Sequence, residues 1–156
     1  MELFARRRYY FCSYCGTFEF LASDAPERLR VLADLQPPTP CPVCAKPLAH
    51  AVFEEGQQVL HCRNCRGVLL ARDAFVEVIH RRRTAAKGPG TIPGALDPRE
   101  LKRTVTCPLC RHRMDVHPYY GPGNIVIDTC STCDAVWLDS GELGQITEAP
   151  GTDRHG

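Results

Sequence analysis

The chain has 156 residues, a formal net charge of +1 and ten cysteines. All ten cysteines fall in Cys-x-x-Cys pairs, which favours small metal-nucleated units over one ordinary hydrophobic domain. The near-neutral charge gives no argument for nucleic-acid binding, and no apolar run is long enough for a transmembrane helix. Residues 1–8 lack the apolar region of a signal peptide, so we expect a cytoplasmic protein with zinc-bound thiolates rather than a secreted disulfide framework.

The spacing of the pairs predicts units of about forty residues, which are too small to bury a sufficient core alone. Structural zinc contributes about 10–16 kcal/mol in finger peptides, which is the scale needed to replace that burial. We therefore expect the metal-free chain to be largely unfolded.

The first segment contains a cysteine knuckle, Cys12-Ser13-Tyr14-Cys15, between two short aromatic strands. The leucine spacing over residues 26–35 predicts a helix, with Asp24 as its cap and the proline-rich residues 36–40 as its end.

Cys12 and Cys15 supply only two of the four ligands that a structural zinc site requires. Histidines or another chain could complete the site, or the pair could be an exposed or redox-active dithiol. A third alternative pairs them with Cys41 and Cys44, which would leave Cys62 and Cys65 without partners. Of the histidines, His50 and His61 are the better candidate ligands, whereas His112 and His117 are interpreted as solvated strand residues.

The next two pairs, Cys41/Cys44 and Cys62/Cys65, are separated by a hairpin with its turn at residues 54–57. A helix is predicted at residues 73–83, ending in His80-Arg81-Arg82-Arg83. This basic end suits the negative end of a helix dipole, and recognition of phosphate or an acidic partner is the alternative, as it is for Arg6-Arg7-Arg8. Glycines and prolines predict a linker at residues 84–96 that lets the flanking units move or dock separately, followed by a short helix at 98–103.

The last two pairs, Cys107/Cys110 and Cys130/Cys133, enclose predicted strands at residues 114–120 and 125–129, joined by a glycine-rich turn. A third strand is predicted at 136–138. Asp139 and Glu142 then have the spacing of an acidic capping box, so a short helix is expected to run to Thr147. Trp137 is interpreted as packing beside the knuckle, with an exposed contact residue as the alternative.

The segment CPLC, about twenty residues and then CSTCDAVWLDSGEL resembles the bacterial zinc-finger domain family named after transcription factor IIB. The matching residues of its closing signature are Cys130, Cys133, Trp137, Leu138, Asp139, Glu142 and Leu143. Ala135 stands where the family usually has glycine. The resemblance implies metal binding and gives no partner.

An internal repeat relates the two units. Cys41 lies 66 residues before Cys107, and Cys62 lies 68 residues before Cys130, so the difference falls in the hairpin. Leu69, Ala71 and Ala74 replace the Trp, Asp and Glu of the later copy. The metal frame is repeated, whereas the closing signature is not.

The predicted fold is a small metal-stabilised α+β protein with tandem zinc ribbons, each a three-stranded antiparallel sheet with a short C-terminal helix, after an N-terminal knuckle and helix. The predicted boundaries are residues 1–40, 41–83, 84–106, 107–148 and a tail at 149–156. Two Zn²⁺ ions are expected, with a third if Cys12 and Cys15 find further ligands. The predicted zinc ligands are Cys41, Cys44, Cys62 and Cys65 in one site and Cys107, Cys110, Cys130 and Cys133 in the other.

Four thiolates fill a tetrahedral zinc, whereas catalytic zinc keeps a position open, so an enzyme is not expected. The favoured hypothesis is a protein-binding or adaptor module with an unidentified protein partner. Nucleic-acid binding is the alternative, and thiol-redox or metal-transfer chemistry at Cys12/Cys15 is the third. The sequence leaves the oligomeric state open.

Overall fold

The computed structural model of the chain describes residues 1–4, 9–15, 17–20, 28–119 and 121–151. The strands are β1 (Glu2–Phe4), β2 (Tyr9–Phe11), β3 (Phe18–Phe20), β4 (Leu29–Asp34), β5 (Leu48–Phe53), β6 (Gln58–Cys62), β7 (Val68–Ala71), β8 (Asp115–Pro118), β9 (Val126–Cys130) and β10 (Ala135–Leu138). The helices are α1 (Arg72–Ala85), α2 (Glu142–Glu148) and the 3₁₀ helix Glu100–Lys102. Within these residues no helix combines the length and apolarity that crossing a membrane requires.

The strands form two antiparallel sheets. The first has the order β1-β2-β3, and the second has the order β4-β5-β6-β7-β10-β9-β8. The second sheet contains the three strands predicted for each cysteine unit, with β7 and β10 paired at its centre. The fold is therefore α+β, and the two units share one continuous sheet.

The pairing of β7 with β10 is symmetric with respect to the sequence repeat. Leu69 lies opposite Trp137, and these two residues occupy the same repeat position. Val68 lies opposite Leu138, just as Leu70 lies opposite Val136. A local pseudo-two-fold axis therefore passes between β7 and β10, and the units join in the manner of an isologous dimer within one chain.

Residues 86–96 of the expected linker form no helix or strand. In part of that segment, Thr91 N donates to the Glu148 carbonyl at 2.7 Å, which ties the chain to the end of α2. The helix predicted at 98–103 is present as the 3₁₀ helix Glu100–Lys102. The domain boundaries themselves stay predictions.

The helix predicted at residues 26–35 is wrong. Residues 21–27 lie outside the described residues, and Leu29–Asp34 is strand β4, paired with β5. Leu29 and Val31 alternate toward the core, a period-two pattern that also fits a strand. Pairing along β5 thus outweighs the helical spacing of the leucines.

The two faces of the large sheet carry different cores, which we call the helix-side core and the metal-side core. On β7 and β10, Val68, Leu70, Val136 and Leu138 face the helices, whereas Leu69, Ala135 and Trp137 face the cysteines. The helix-side core also contains Ala51, Phe53, Val59, Phe75, Val78, Ile79, Ile125, Ile127, Leu143 and Ile146. The metal-side core also contains Leu48, Val105, Met114 and the five buried cysteines Cys41, Cys62, Cys65, Cys107 and Cys130.

The helices after the knuckles are confirmed. The structure places α1 at Arg72–Ala85 and α2 at Glu142–Glu148. Before α2, the Asp139 amide donates to Glu142 Oε2 at 2.8 Å, so the predicted pair is in contact. The N-cap of α2 is Gly141 and makes no side-chain cap hydrogen bond, so Asp139 does not cap the helix as a capping box requires. Gly141 precedes this helix with φ of 84°, a conformation that side chains disfavour.

The indole of Trp137 occupies the space beside Gly67. A Cβ at Gly67 would lie 2.2 Å from Trp137 Cζ2. Ala135 has the repeat position of Gly67, just as Leu69 has the repeat position of Trp137. The larger aromatic residue in one unit is therefore matched by glycine in the other.

Replacing Gly67 by Ala should destabilise the zinc-loaded protein by about 1–3 kcal/mol, because the added methyl overpacks the buried indole. Thermal unfolding at fixed zinc concentration measures the change. In a Trp137→Leu background the same Gly67→Ala change should cost much less. Equal costs in both backgrounds would show that contact with the indole is not the cause.

Candidate metal centres

The knuckles share a backbone framework that directs two sulfurs to one side of a turn. The amide of the first cysteine donates to the carbonyl five residues later, at 2.7 Å from Cys41, 3.0 Å from Cys62 and 2.8 Å from Cys107. The residue after each second cysteine has a positive φ: Ala45 at 61°, Arg66 at 60°, Arg111 at 66° and Asp134 at 51°. Amides within the turns also donate to sulfur, as from Val43 N to Cys41 Sγ at 3.4 Å.

The first metal centre joins the knuckles before β5 and after β6. Cys41 Sγ lies 3.5 Å from Cys65 Sγ, and Cys44 Sγ lies 3.5 Å from Cys62 Sγ. The four sulfurs lie within 4.8 Å of one another. With Zn–S bonds of about 2.3 Å, a tetrahedron places its sulfurs about 3.8 Å apart, so this set fits zinc.

The second metal centre has the same arrangement. Cys110 Sγ lies 3.5 Å from Cys130 Sγ, and Cys107 Sγ lies 3.9 Å from Cys133 Sγ. In both centres, the first cysteine of one knuckle lies beside the second cysteine of the other. We call this the crossed arrangement.

Because the four thiols of a centre lie close together, the pKa of some is lowered and the pKa of others is raised. Hydrogen bonds from Cys41 and Cys65 lower the pKa of Cys62, whereas the pKa of Cys65 is raised by hydrogen bonds with Cys41 and Cys62. A hydrogen bond from the His112 amide is the largest cause that lowers the Cys110 pKa to about 6. Zinc takes all four sulfurs as thiolates, so its binding releases the protons that remain.

The predicted ligand pairs are placed as the repeat indicates. Because Cys41 and Cys44 meet Cys62 and Cys65, their alternative pairing with Cys12 and Cys15 is not observed. Among the described residues, no histidine belongs to a potential metal-binding group. His61 is buried beside Cys62, whereas His117 Nε2 contacts Thr129 Oγ1 at 3.0 Å.

Cys12 and Cys15 form a fifth turn with the same closing bond. The Cys12 amide donates to the Thr17 carbonyl at 3.0 Å. Cys15 Sγ lies 3.1 Å from Thr17 Oγ1, and hydrogen bonds from Thr17 and Cys12 lower the Cys15 pKa. No group of three or more potential ligands within the described ranges includes this pair.

A buried ionic cluster beside the second centre was not anticipated from the sequence. Arg103 pairs with Asp139 and, at 3.0 Å, with Asp128. Trp137 Nε1 donates to Asp139 Oδ1 at 3.0 Å, and the indole is fully buried, which confirms its predicted packing role. Burial disfavours the charge of Arg103, but Asp139 and Asp128 outweigh it and raise the Arg103 pKa.

The repeat contains a signal for this cluster. Asp128 corresponds to Leu60 and Asp139 to Ala71, so both acids are present in the second unit alone. An acid in an otherwise apolar strand indicates a buried partner. The partner, Arg103, lies outside the repeated cysteine frame and has no spacing rule to reveal it.

The second unit matches a known protein family. Residues 106–149 match the family described as transcription factor zinc-finger. No curated protein and no solved structure matched the chain. The two four-cysteine clusters and this family match support two Zn²⁺ ions per chain, and the match indicates a zinc-ribbon module at residues 106–149.

Replacing Cys62 or Cys130 by serine should remove one tightly held zinc per chain relative to the unmodified protein, because each change leaves three thiolates in one cluster. Metal analysis of the reduced, desalted protein measures the loss. Ser131→Ala, which changes an exposed neighbour of Cys130, is the control and should retain all zinc. An unchanged zinc content in Cys62→Ser would contradict the first assigned centre.

Replacing Arg103 by leucine should destabilise the zinc-loaded protein by about 3 kcal/mol, because it removes the cation from two buried carboxylates. Denaturant unfolding measures the effect. Arg99→Leu breaks an ion pair whose arginine side chain is 79% exposed, so it should leave the midpoint almost unchanged. Equal shifts for the two variants would argue against a special role for burial.

Proposed function

We propose that this protein is a zinc-stabilised tandem ribbon that acts as a non-catalytic protein-binding module. In this proposal residues 41–83 are a diverged second copy of the unit at 107–148. The equal order of knuckle, hairpin, third strand and helix in the two units supports the second copy.

The metal centres favour a structural role. Each has four cysteine sulfurs in mutual reach, which fills the coordination shell of zinc and leaves no position for substrate or water. The acids nearest the second centre have structural contacts, since Asp139 pairs with Arg103 and Glu142 accepts the Asp139 amide. These contacts support a non-catalytic module.

Arg82 and Arg83, at the end of α1, form hydrogen bonds with other groups of this chain. Arg82 is buried and forms two hydrogen bonds with Glu55, at 2.8 and 3.2 Å. Arg83 donates to the carbonyls of Ile146 and Ala149 at 2.6 and 2.8 Å, and so binds the end of α2. These contacts favour the helix-end interpretation over recognition of phosphate.

A groove of about 470 Å³ lies on the helix side between α1 and the strands β8 and β9. Its apolar lining includes Phe75, Val76, Ile79, Tyr119, Ile127 and Val136. This groove, whose lining also includes the polar residues Arg72, His80 and His117, is the observation that carries the proposal, because apolar concave surfaces favour protein or peptide contacts.

The pseudo-two-fold relation indicates what kind of segment the groove accepts. In the first unit, β4 lies outside β5 and packs Leu29 and Val31 against the helix-side core. In the second unit the counterpart of β5 is β8, and within the described residues no strand lies beyond β8 in the position that β4 occupies beside β5. The proposed occupant is an extended partner segment with alternating apolar residues, similar in pattern to β4.

Replacing Val76 by glutamate should weaken partner binding at least tenfold, because it places a charge in the groove from an exposed helix position. The partner is first captured from lysate of the native host after nuclease treatment, then purified and titrated against the zinc-loaded protein. Ala85→Glu adds the same charge on α1 outside the groove and should bind normally. Equal binding by both variants would overturn the groove assignment.

Nucleic-acid binding is the alternative, supported by the name of the matched family and by Arg6, Arg7 and Arg8, which lie outside the described residues. Phosphate contacts make such binding fall steeply with salt. Nuclease-sensitive capture together with salt-dependent binding of purified DNA or RNA would favour it over the protein-binding module.

A further inference from the structure

The N-terminal knuckle has the form of a metal-binding half-site. The hydrogen bond from the Cys12 amide to the Thr17 carbonyl is the same as the one that closes the knuckles at Cys41, Cys62 and Cys107. Both thiols are free, and hydrogen bonds link Cys15 to Thr17 and to Cys12. The turn is therefore already shaped to present two sulfurs.

The two closed centres show how one knuckle meets another. In each, the first cysteine of one knuckle lies beside the second cysteine of its partner, at sulfur separations of 3.5–3.9 Å. This crossed arrangement is what two identical knuckles adopt around a two-fold axis. Cys12 of one copy would lie beside Cys15 of the other, and the reverse contact would follow by symmetry.

We propose that Cys12 and Cys15 form half of a third zinc site. The same two cysteines of a second copy of this chain supply the other two ligands. One Zn²⁺ ion is then shared by two chains. The four thiols lose their protons to solvent as the zinc–sulfur bonds form, and no electron is transferred. The site is incomplete in one chain and complete in the dimer.

The surroundings of the knuckle permit this approach. Tyr14, between the two cysteines, is 98% exposed, and Ser13 and Cys15 are also exposed. The tip of the turn therefore projects into solvent. The eight cysteines of the closed centres form two complete sets of four ligands, so none of them is available to Cys12 and Cys15. The remaining ligands must therefore come from another molecule.

Native mass spectrometry of the full-length reduced protein with excess Zn²⁺ tests the shared site. The expected dimer holds five zinc ions, which is two in each chain and one between the chains. Sedimentation should show that this dimer dissociates on dilution or chelation. A monomer with two zinc ions at every concentration, or with three zinc ions in one chain, would overturn the shared site.

The double variant Cys12→Ser/Cys15→Ser should be a monomer with two zinc ions at concentrations that dimerise the unmodified protein. Its two retained ions report that the closed centres are folded. Ser13→Ala changes the same turn, keeps both cysteines and should still give the five-zinc dimer. Should the double variant lose its other zinc ions, the single Cys15→Ser change at the exposed position replaces it, and a five-zinc dimer of that variant would contradict the proposal.

Discussion

Two cysteine turns meet at each metal centre, and this meeting is the constraint relative to which the other elements of each unit are placed. Each centre joins the turn before one strand to the turn after the next, so the metal fixes a hairpin at its open end. β7 and β10 follow directly from the second turn of their units. Their direction is consequently set by the same coordination that closes the hairpin, and zinc supplies stabilisation that so small a core lacks.

Pairing of the two units solves the problem that the metal leaves. A single ribbon would leave the free edge of its third strand without a pairing strand. Its one short helix would also leave part of the apolar sheet face in contact with water. Joining β7 to β10 covers both edges at once and merges the helix-facing residues into one core. The close fit of Trp137 to Gly67 then makes the two halves unequal, because the bulky residue of one half requires a missing side chain in the other.

What could be predicted from the sequence was local. The cysteine spacing, the hairpin at residues 121–124 and the Asp139/Glu142 contact each depend on residues a few positions apart, and the structure contains all three. The leucine spacing of residues 26–35 predicts a helix where the structure has strand β4, because the pairing with β5 that decides the conformation of β4 involves residues outside that stretch. The β7–β10 pairing is likewise non-local, although the repeat contained the symmetric residues that it brings together.

The buried acids explain why the closing signature differs between the units as a set. Asp128 and Asp139 are compatible with burial because Arg103 lies between them. The corresponding positions hold Leu60 and Ala71, and the position 66 residues before Arg103 holds Pro37. A buried aspartate without its arginine is costly, but the first unit has no such burial at these positions, because Leu60 is half-buried and Ala71 is exposed. The two units can therefore share a metal frame and a strand order while each retains its own complete polar or apolar solution beside the knuckle.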